Sequence, residues 1–303
     1  VARKERDYSW PPAPEALPLP VTDNHTHLES LGDVARGGVA APNIDEVIAL
    51  SKSVGVARMV QVGCDLDSAR ATMSLIEAHA ELAGAVAIHP NEAPLHARTA
   101  DLGPDGLEPH YVARHEVSLD DAIAEIGRLA QHPGIVAIGE TGLDWFRTGP
   151  QGRVTQIESF RAHIALAREL GLALQIHDRD AHADVIDVLL RDGAPERTVF
   201  HCFSGDAEMA RVANEHGWFM SFAGPVTFGA NEGLRDALRT ADQGLILVET
   251  DAPYLTPHPF RGRPNAPYLT PHTVRKIAEV KDVSLEEACT FIETNTQRVY
   301  GTW

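Results

Sequence analysis

The 303-residue chain is 44% hydrophobic and 23% charged, ordinary for a soluble protein and sufficient to bury a sizeable core. Its 43 acidic and 26 basic residues give a formal charge of −17, which repels nucleic acid and anionic membranes at long range and argues against a protein that coats nucleic acid non-specifically. Three scattered cysteines, Cys64, Cys202 and Cys289, make neither a disulfide framework nor a C-x-x-C metal pattern, and no apolar run is long enough for a membrane span; a cytoplasmic setting is expected.

Val1 to Trp10 carries charges with no apolar segment behind them, then runs into Pro11-Pro12-Ala13-Pro14 and Pro18-Leu19-Pro20. Residues 1–20 are therefore expected to form an extended, polyproline-like arm, and residues 21–303 a single domain. The first strand is expected over Val21 to His25. Asn43, with Glu46 three residues on, caps a helix to about Val54. Ala57 to Val62 reads as the second strand and Asp65 to about His79 as the second helix. A third strand is expected over Ala85 to His89. Glu92 to Val117 follows as a long irregular loop, of a length that tends to be functional or mobile.

Ser118 opens a helix to about Gln131. Ile135 to Gly139 is the fourth strand, followed by a helix from about Val154 to Leu170. Strands over Leu172 to Ile176, Thr198 to His201, Trp218 to Phe222 and Leu245 to Glu249 bring the count to eight. Helices over Ala181 to Leu190, Ala207 to Glu215 and Asn231 to Leu238 lie between them. Ala252-Pro253-Tyr254-Leu255-Thr256-Pro257-His258 recurs as Ala266 to His272, read as a rigid loop after the eighth strand. Thr270-Pro271 reads as the N-cap and first position of a further helix, and Ser284 with Glu287 caps the last. Eight strands alternating with helices indicate an α/β fold, a single (β/α)8 TIM barrel. A doubly wound sheet would carry a Gly-rich phosphate loop after an early strand, and Leu28-Glu29-Ser30-Leu31-Gly32 is not one.

Six side chains of metal-ligand type stand at the ends of five of these strands: His25 and His27, Glu140, His177, His201 and Asp251. Strand residues two apart share a face, so His25 and His27 point together. In a barrel the C-terminal strand ends converge on the face where barrel enzymes place their sites. Four imidazoles and two carboxylates suit two divalent ions about 3.5–4 Å apart, bridged by a carboxylate. Imidazole suits zinc and carboxylate suits magnesium or manganese, so the donors alone do not choose the metal.

Asp23-Asn24-His25-Thr26-His27-Leu28, Gly139-Glu140-Thr141-Gly142-Leu143-Asp144, Gln175-Ile176-His177-Asp178-Arg179-Asp180-Ala181, Phe200-His201-Cys202-Phe203-Ser204-Gly205 and Glu249-Thr250-Asp251-Ala252-Pro253-Tyr254-Leu255 together resemble the TatD family of metal-dependent deoxyribonucleases, within the amidohydrolase-like barrels. The resemblance runs from about Val21 to Gly301. It implies that His25, His27, Glu140 and Asp251 hold one metal, and that a bridging Glu140 with His177 and His201 holds the second. It also implies 3′–5′ exonuclease activity on DNA 3′ ends, usually with magnesium, manganese or zinc being possible; no obligate protein partner is inferred. Asp251 would be both ligand and general base, with Glu140 the second catalytic carboxylate.

Arg261, in Phe260-Arg261-Gly262-Arg263, is the expected phosphate clamp, with Arg263 and Arg179 as weaker candidates. Tyr254 is placed to stack on a terminal base. His89, in His89-Pro90-Asn91, matches only the first histidine of the family's H-P-H. Glu249 alternates with Asp251 and either faces the pocket or supports a ligand, while Cys202 is expected to turn away into packing. The alternative reading is an amidohydrolase-type enzyme cleaving a C–N, lactone or other acyl bond, because fold and metals do not choose the substrate.

Overall fold

The computed structural model describes residues 7–303. Eight parallel strands run in chain order around one barrel: β1 (Val21–Thr26), β2 (Val56–Gly63), β3 (Leu82–Val86), β4 (Ile135–Asp144), β5 (Ala173–Arg179), β6 (Thr198–Phe200), β7 (Phe219–Phe222) and β8 (Ile246–Val248). Helices fill the crossovers: α1 (Ile44–Ser53), α2 (Leu66–Ala78), the short α3 (Ala93–His96), α4 (Leu119–Leu129), α5 (Pro150–Leu170), α6 (His182–Asp192), α7 (Ala207–His216) and α8 (Glu232–Thr240). α9 (Thr270–Lys281) and α10 (Leu285–Tyr300) follow the last strand. Closure falls just past β8, where Asp251 N–H donates to the His25 carbonyl at 3.0 Å and His27 N–H to the Ala252 carbonyl at 2.7 Å. This stitching places Asp251 beside the first histidine pair. Every residue of β1 is buried, as expected of a strand covered on both faces. Among the described residues no helix is long and apolar enough to cross a membrane.

Four expectations need correction. β3 begins at Leu82 and ends at Val86, earlier than the expected Ala85 to His89, and takes in Gly84. A Cβ on Gly84 would meet Ile135 Cδ1 at 2.5 Å, so a larger residue here would have to displace the tip of the Ile135 side chain. α5 begins at Pro150, not Val154, because the Asp101 carboxylate accepts from the amides of Gln151 and Gly152, both at 3.1 Å. That cap comes from fifty residues upstream and adds to the local start signal of a proline at the first helical position. Thr270 is not an N-cap: Leu269 holds that position, and the Thr270 hydroxyl donates to Pro267 O. The repeated heptapeptide is not one loop, since its second copy forms a 3-10 turn over Pro267–Leu269 and enters α9.

The Glu92 to Val117 segment is largely irregular, as expected, and is fastened by its own side chains. It contains α3 and a 3-10 turn over Ala113–Glu116. The Glu92 carboxylate accepts from Arg114 at 2.8 and 3.1 Å and from His115 at 2.8 Å. Residues 1–6 of the expected arm lie outside the described residues. Residues 7–20 carry no helix or strand and lie along the barrel: Tyr268 donates its hydroxyl to Pro11 O, Arg275 reaches Glu15 O, and Leu17 N–H donates to Val54 O.

His163, fully buried on α5, joins this shell to the strand-end loops. Its Nε2 accepts from Ile88 N–H at 3.1 Å while Nδ1 faces Ser159 O at 2.8 Å. Burial pushes its pKa down to about 4. The folded value lies below the unfolded one of about 6.5, so its contribution is complete above pH 6.5 and is lost as pH falls toward 4. About 3 kcal/mol is at stake between those limits. Urea melts at a series of pH values are expected to show this acid loss, and His163→Gln, which does not titrate, should flatten it.

Candidate metal centre

The six expected ligands converge at the C-terminal mouth of the barrel. His25 Nε2 and His27 Nε2 lie 3.2 Å apart, and Asp251 Oδ1 stands 3.4 Å from the latter and 4.0 Å from the former. Glu140 sits between two halves of the site. Its Oε1 is 4.0 Å from His25 Nε2 and 3.9 Å from His27 Nε2; its Oε2 is 2.7 Å from His201 Nε2 and 3.3 Å from His177 Nδ1. Glu140 reaches this position from a register irregularity within β4, between Ile138 and Thr141. Asp251 lies beyond β8 at φ 54°, a left-handed conformation that Asp tolerates better than most residues.

The outer hydrogen bonds decide which imidazole nitrogen faces inward. His27 Nδ1 is 3.0 Å from Val62 O, and His201 Nδ1 is 3.0 Å from the Glu249 carboxylate. Both partners are acceptors, so Nδ1 carries the proton and Nε2 presents a lone pair to the centre. His177 is reversed: its Nε2 donates to Asp144 Oδ2 at 3.1 Å, leaving Nδ1 for Glu140. Lone pairs therefore face lone pairs and carboxylates, an arrangement that needs cations between them. The donor set fits a pair of divalent ions, and the outer partners follow the carboxylate–histidine pattern of metal sites.

In the chain alone, protons fill part of this role. Burial works against charge on His27, but bonding to Asp251 carries it up to about 9. Burial opposes it equally on His177, and Asp144 and Glu140 carry that residue up to about 9. Burial and the neighbouring His201 push His25 well below its usual range. Burial also opposes ionisation of Glu140, yet His201, His89 and His177 hold its carboxyl well below the ordinary value.

A family model described as TatD related DNase matches residues 22–301. The chain belongs to this family. It is 39% identical over 285 residues to an uncharacterized metal-dependent hydrolase TatD of Mycobacterium tuberculosis, covering 93% of this chain and 98% of that protein. It is 34% identical to the metal-dependent hydrolase YabD of Bacillus subtilis, over 92% and 98% of the two chains. Among solved structures, the TatD homologue YJJV of Escherichia coli K12 superposes with a TM-score of 0.74 at 22% identity, over 93% of this chain and 98% of that one. A hydrolase TatD family protein of Entamoeba histolytica does so at 0.78 and 17%, over 95% and 100%. This TatD-family chain is thus a metal-dependent hydrolase on a TIM barrel.

The expected substrate residues of this TatD-family protein divide. Tyr254 and Arg179 line a cavity of about 420 Å³ above the six converging side chains, with Tyr254 edge-on to His27 at 6.2 Å between centroids. Arg261 is not on that wall. It stacks over Phe228 at 4.5 Å and lines an adjoining groove. His89 Nε2 points at Glu140 Oε1 from 3.7 Å. Asn91 N–H donates to His89 Nδ1, so the inward nitrogen carries a proton and His89 is a hydrogen-bond donor rather than a ligand. The second half of the family's H-P-H, here Asn91, bonds Asp144 Oδ2 at 3.0 Å and so steadies His177. Cys202 does not turn away: at φ 42° it lines the cavity, and its N–H donates to Glu249 at 2.7 Å.

Reading the sequence alone missed Asp144 and Cys64. Asp144 was visible in Gly142-Leu143-Asp144 but lacked a reason to be singled out until His177 was seen to point at it. Cys64 Sγ lies 3.2 Å from Glu140 Oε1, brought there from β2 by barrel curvature. Glu92, His96 and His115 also cluster. Val112 N–H donates to His115 Nδ1, which puts the proton on Nε2 facing Glu92, so His115 offers no lone pair there; His96 donates its Nδ1–H to Val117 O at 2.8 Å, and its buried Nε2 has no hydrogen-bond partner among the described residues. Asp144→Asn and Glu249→Gln are each expected to lower metal affinity about 10–100-fold, read by competition with a chromogenic chelator.

Proposed function

We propose that the chain is a metal-dependent phosphodiesterase that removes nucleotides from DNA 3′ ends, using two divalent ions, magnesium for activity with manganese or zinc as alternatives. The observation that carries this reading is the arrangement of two lone-pair sets on the two oxygens of Glu140, at the floor of a cavity walled by Arg179 and Tyr254. His25, His27 and Asp251 would hold one ion, His177 and His201 the other, with Glu140 shared. Bound divalent ions supply positive charge that acidifies water and offsets charge developing on a phosphate during in-line attack. Asp251 would take the water proton, being a carboxylate 3.4 Å from His27 Nε2. Arg179 supplies a fixed cation on the cavity wall, and Tyr254, 46% exposed, presents a ring for a terminal base.

The test is degradation of a 5′-labelled single-stranded oligonucleotide with magnesium, manganese or zinc. A ladder that shortens from the 3′ end and disappears in EDTA is the expected result. No cleavage with any metal, alongside turnover of a lactone or amide, would replace this reading with acyl-bond hydrolysis.

A further inference from the structure

Next to the metal cavity, sharing Tyr254 and Leu255 with it, lies a second cavity of about 350 Å³. Its walls come from four separate stretches: Tyr8 of the N-terminal arm, Arg36 of the loop before α1, Phe228 after β7, and Arg261 after β8. Among the described residues no acidic side chain lines it, in a chain with 43 acidic residues against 26 basic ones. Arg36 and Arg261 have no ion pair or side-chain hydrogen bond among the described residues, whereas most arginines here are paired. Arg263 on the same wall is used differently: it reaches Ser9 O at 2.8 Å, Trp10 O at 2.9 Å and the Asp7 carboxylate at 3.1 Å, fastening the arm. Trp10 donates its indole N–H to Ala40 O at 3.0 Å, tying the arm to the Arg36 loop. Tyr8 is seated on Gly37, where φ is +65° and a Cβ would come within 2.8 Å of the Tyr8 ring. The arm therefore delivers an aromatic ring to a built position beside two guanidinium groups without an ion pair among the described residues, one of them stacked on Phe228.

We propose that this groove binds the nucleotides of a single strand that precede the 3′-terminal one, with Arg36 and Arg261 on phosphates and Tyr8 stacked on a base. The proposal rests on the nuclease reading for the placement of the 3′ end. Arginines interleaved with aromatic rings match a flexible polyanion with flat bases, and the acid-free lining gives local attraction where the whole molecule repels. Contacts of this kind let the protein hold a strand between cuts despite its net charge.

The experiment measures anisotropy of 5′-fluorescein oligothymidylates carrying a cleavage-resistant 3′ phosphorothioate, with the metal-loaded enzyme. Wild-type affinity is expected to rise from dinucleotide to octanucleotide. Arg36→Gln and Tyr8→Ala are each expected to weaken the octanucleotide about tenfold and the dinucleotide less than about threefold. Tyr8→Phe should restore stacking, and Arg36→Gln should lower the slope of log affinity on log salt by about 0.7. Length-independent wild-type affinity, equal losses at all lengths, or an unchanged salt slope would overturn the groove. Intact 3′ degradation with length-independent binding removes only the groove. Length-dependent, Arg36-sensitive binding with no cleavage by any metal removes only the nuclease reading.

Discussion

Asp251→Asn is expected to fold normally and to lose about 10²–10⁴-fold in kcat, the range that positioned proton transfer supplies. The substitution is nearly isosteric, and Asn tolerates the left-handed backbone that Asp251 adopts at φ 54°, so barrel closure through Asp251 N–H and His25 O survives. What is removed is the carboxylate that can accept a proton 3.4 Å from His27 Nε2. A thermal melt beside steady-state turnover checks both halves. Wild-type turnover in a variant with unchanged melting would dismiss Asp251 as the base.

Glu140→Gln is expected to have the larger effect on metal content, because one side chain serves both halves of the centre. Its Oε1 faces His25 and His27 and its Oε2 faces His177 and His201. The amide retains one oxygen and turns an N–H toward lone pairs, so one half gains a donor where it needs an acceptor. Both ions are expected to be lost, with affinity falling beyond the 10–100-fold typical of an outer partner. His177→Ala should lose only one. Metal content by atomic emission after gel filtration separates these outcomes. Full retention of one ion by Glu140→Gln would assign the bridging role elsewhere.

The convergence of these six side chains was legible because each closes or follows an expected strand, and strand ends of a barrel meet by construction; Glu140 and His177 in fact lie within β4 and β5, which run on to Asp144 and Arg179 rather than ending at Gly139 and Ile176. The nitrogen used by each histidine was not legible. His177 faces inward through Nδ1 and His201 through Nε2 only because Asp144 and Glu249 occupy the other nitrogens, from β4 and from beyond β8. Arg261 was the expected phosphate clamp; it stacks on Phe228 and lines the groove adjoining the cavity, a placement that its sequence position does not reveal. Arg179, adjacent in sequence to a ligand-bearing strand end, is the cation on the metal cavity's wall.

The sequence by itself determined the alternation of strands and helices, hence the barrel, and the residues that reach its mouth, because periodicity and chain order are local properties that barrel geometry converts into position. Tertiary structure alone decided tautomers, the Asp101 cap on α5, and the fate of the repeated heptapeptide. Seven identical residues form a loop across the mouth in one copy and the entry to α9 in the other. The physical reason is that hydrogen-bond partners distant in the chain outweigh local preference once the barrel brings them within reach.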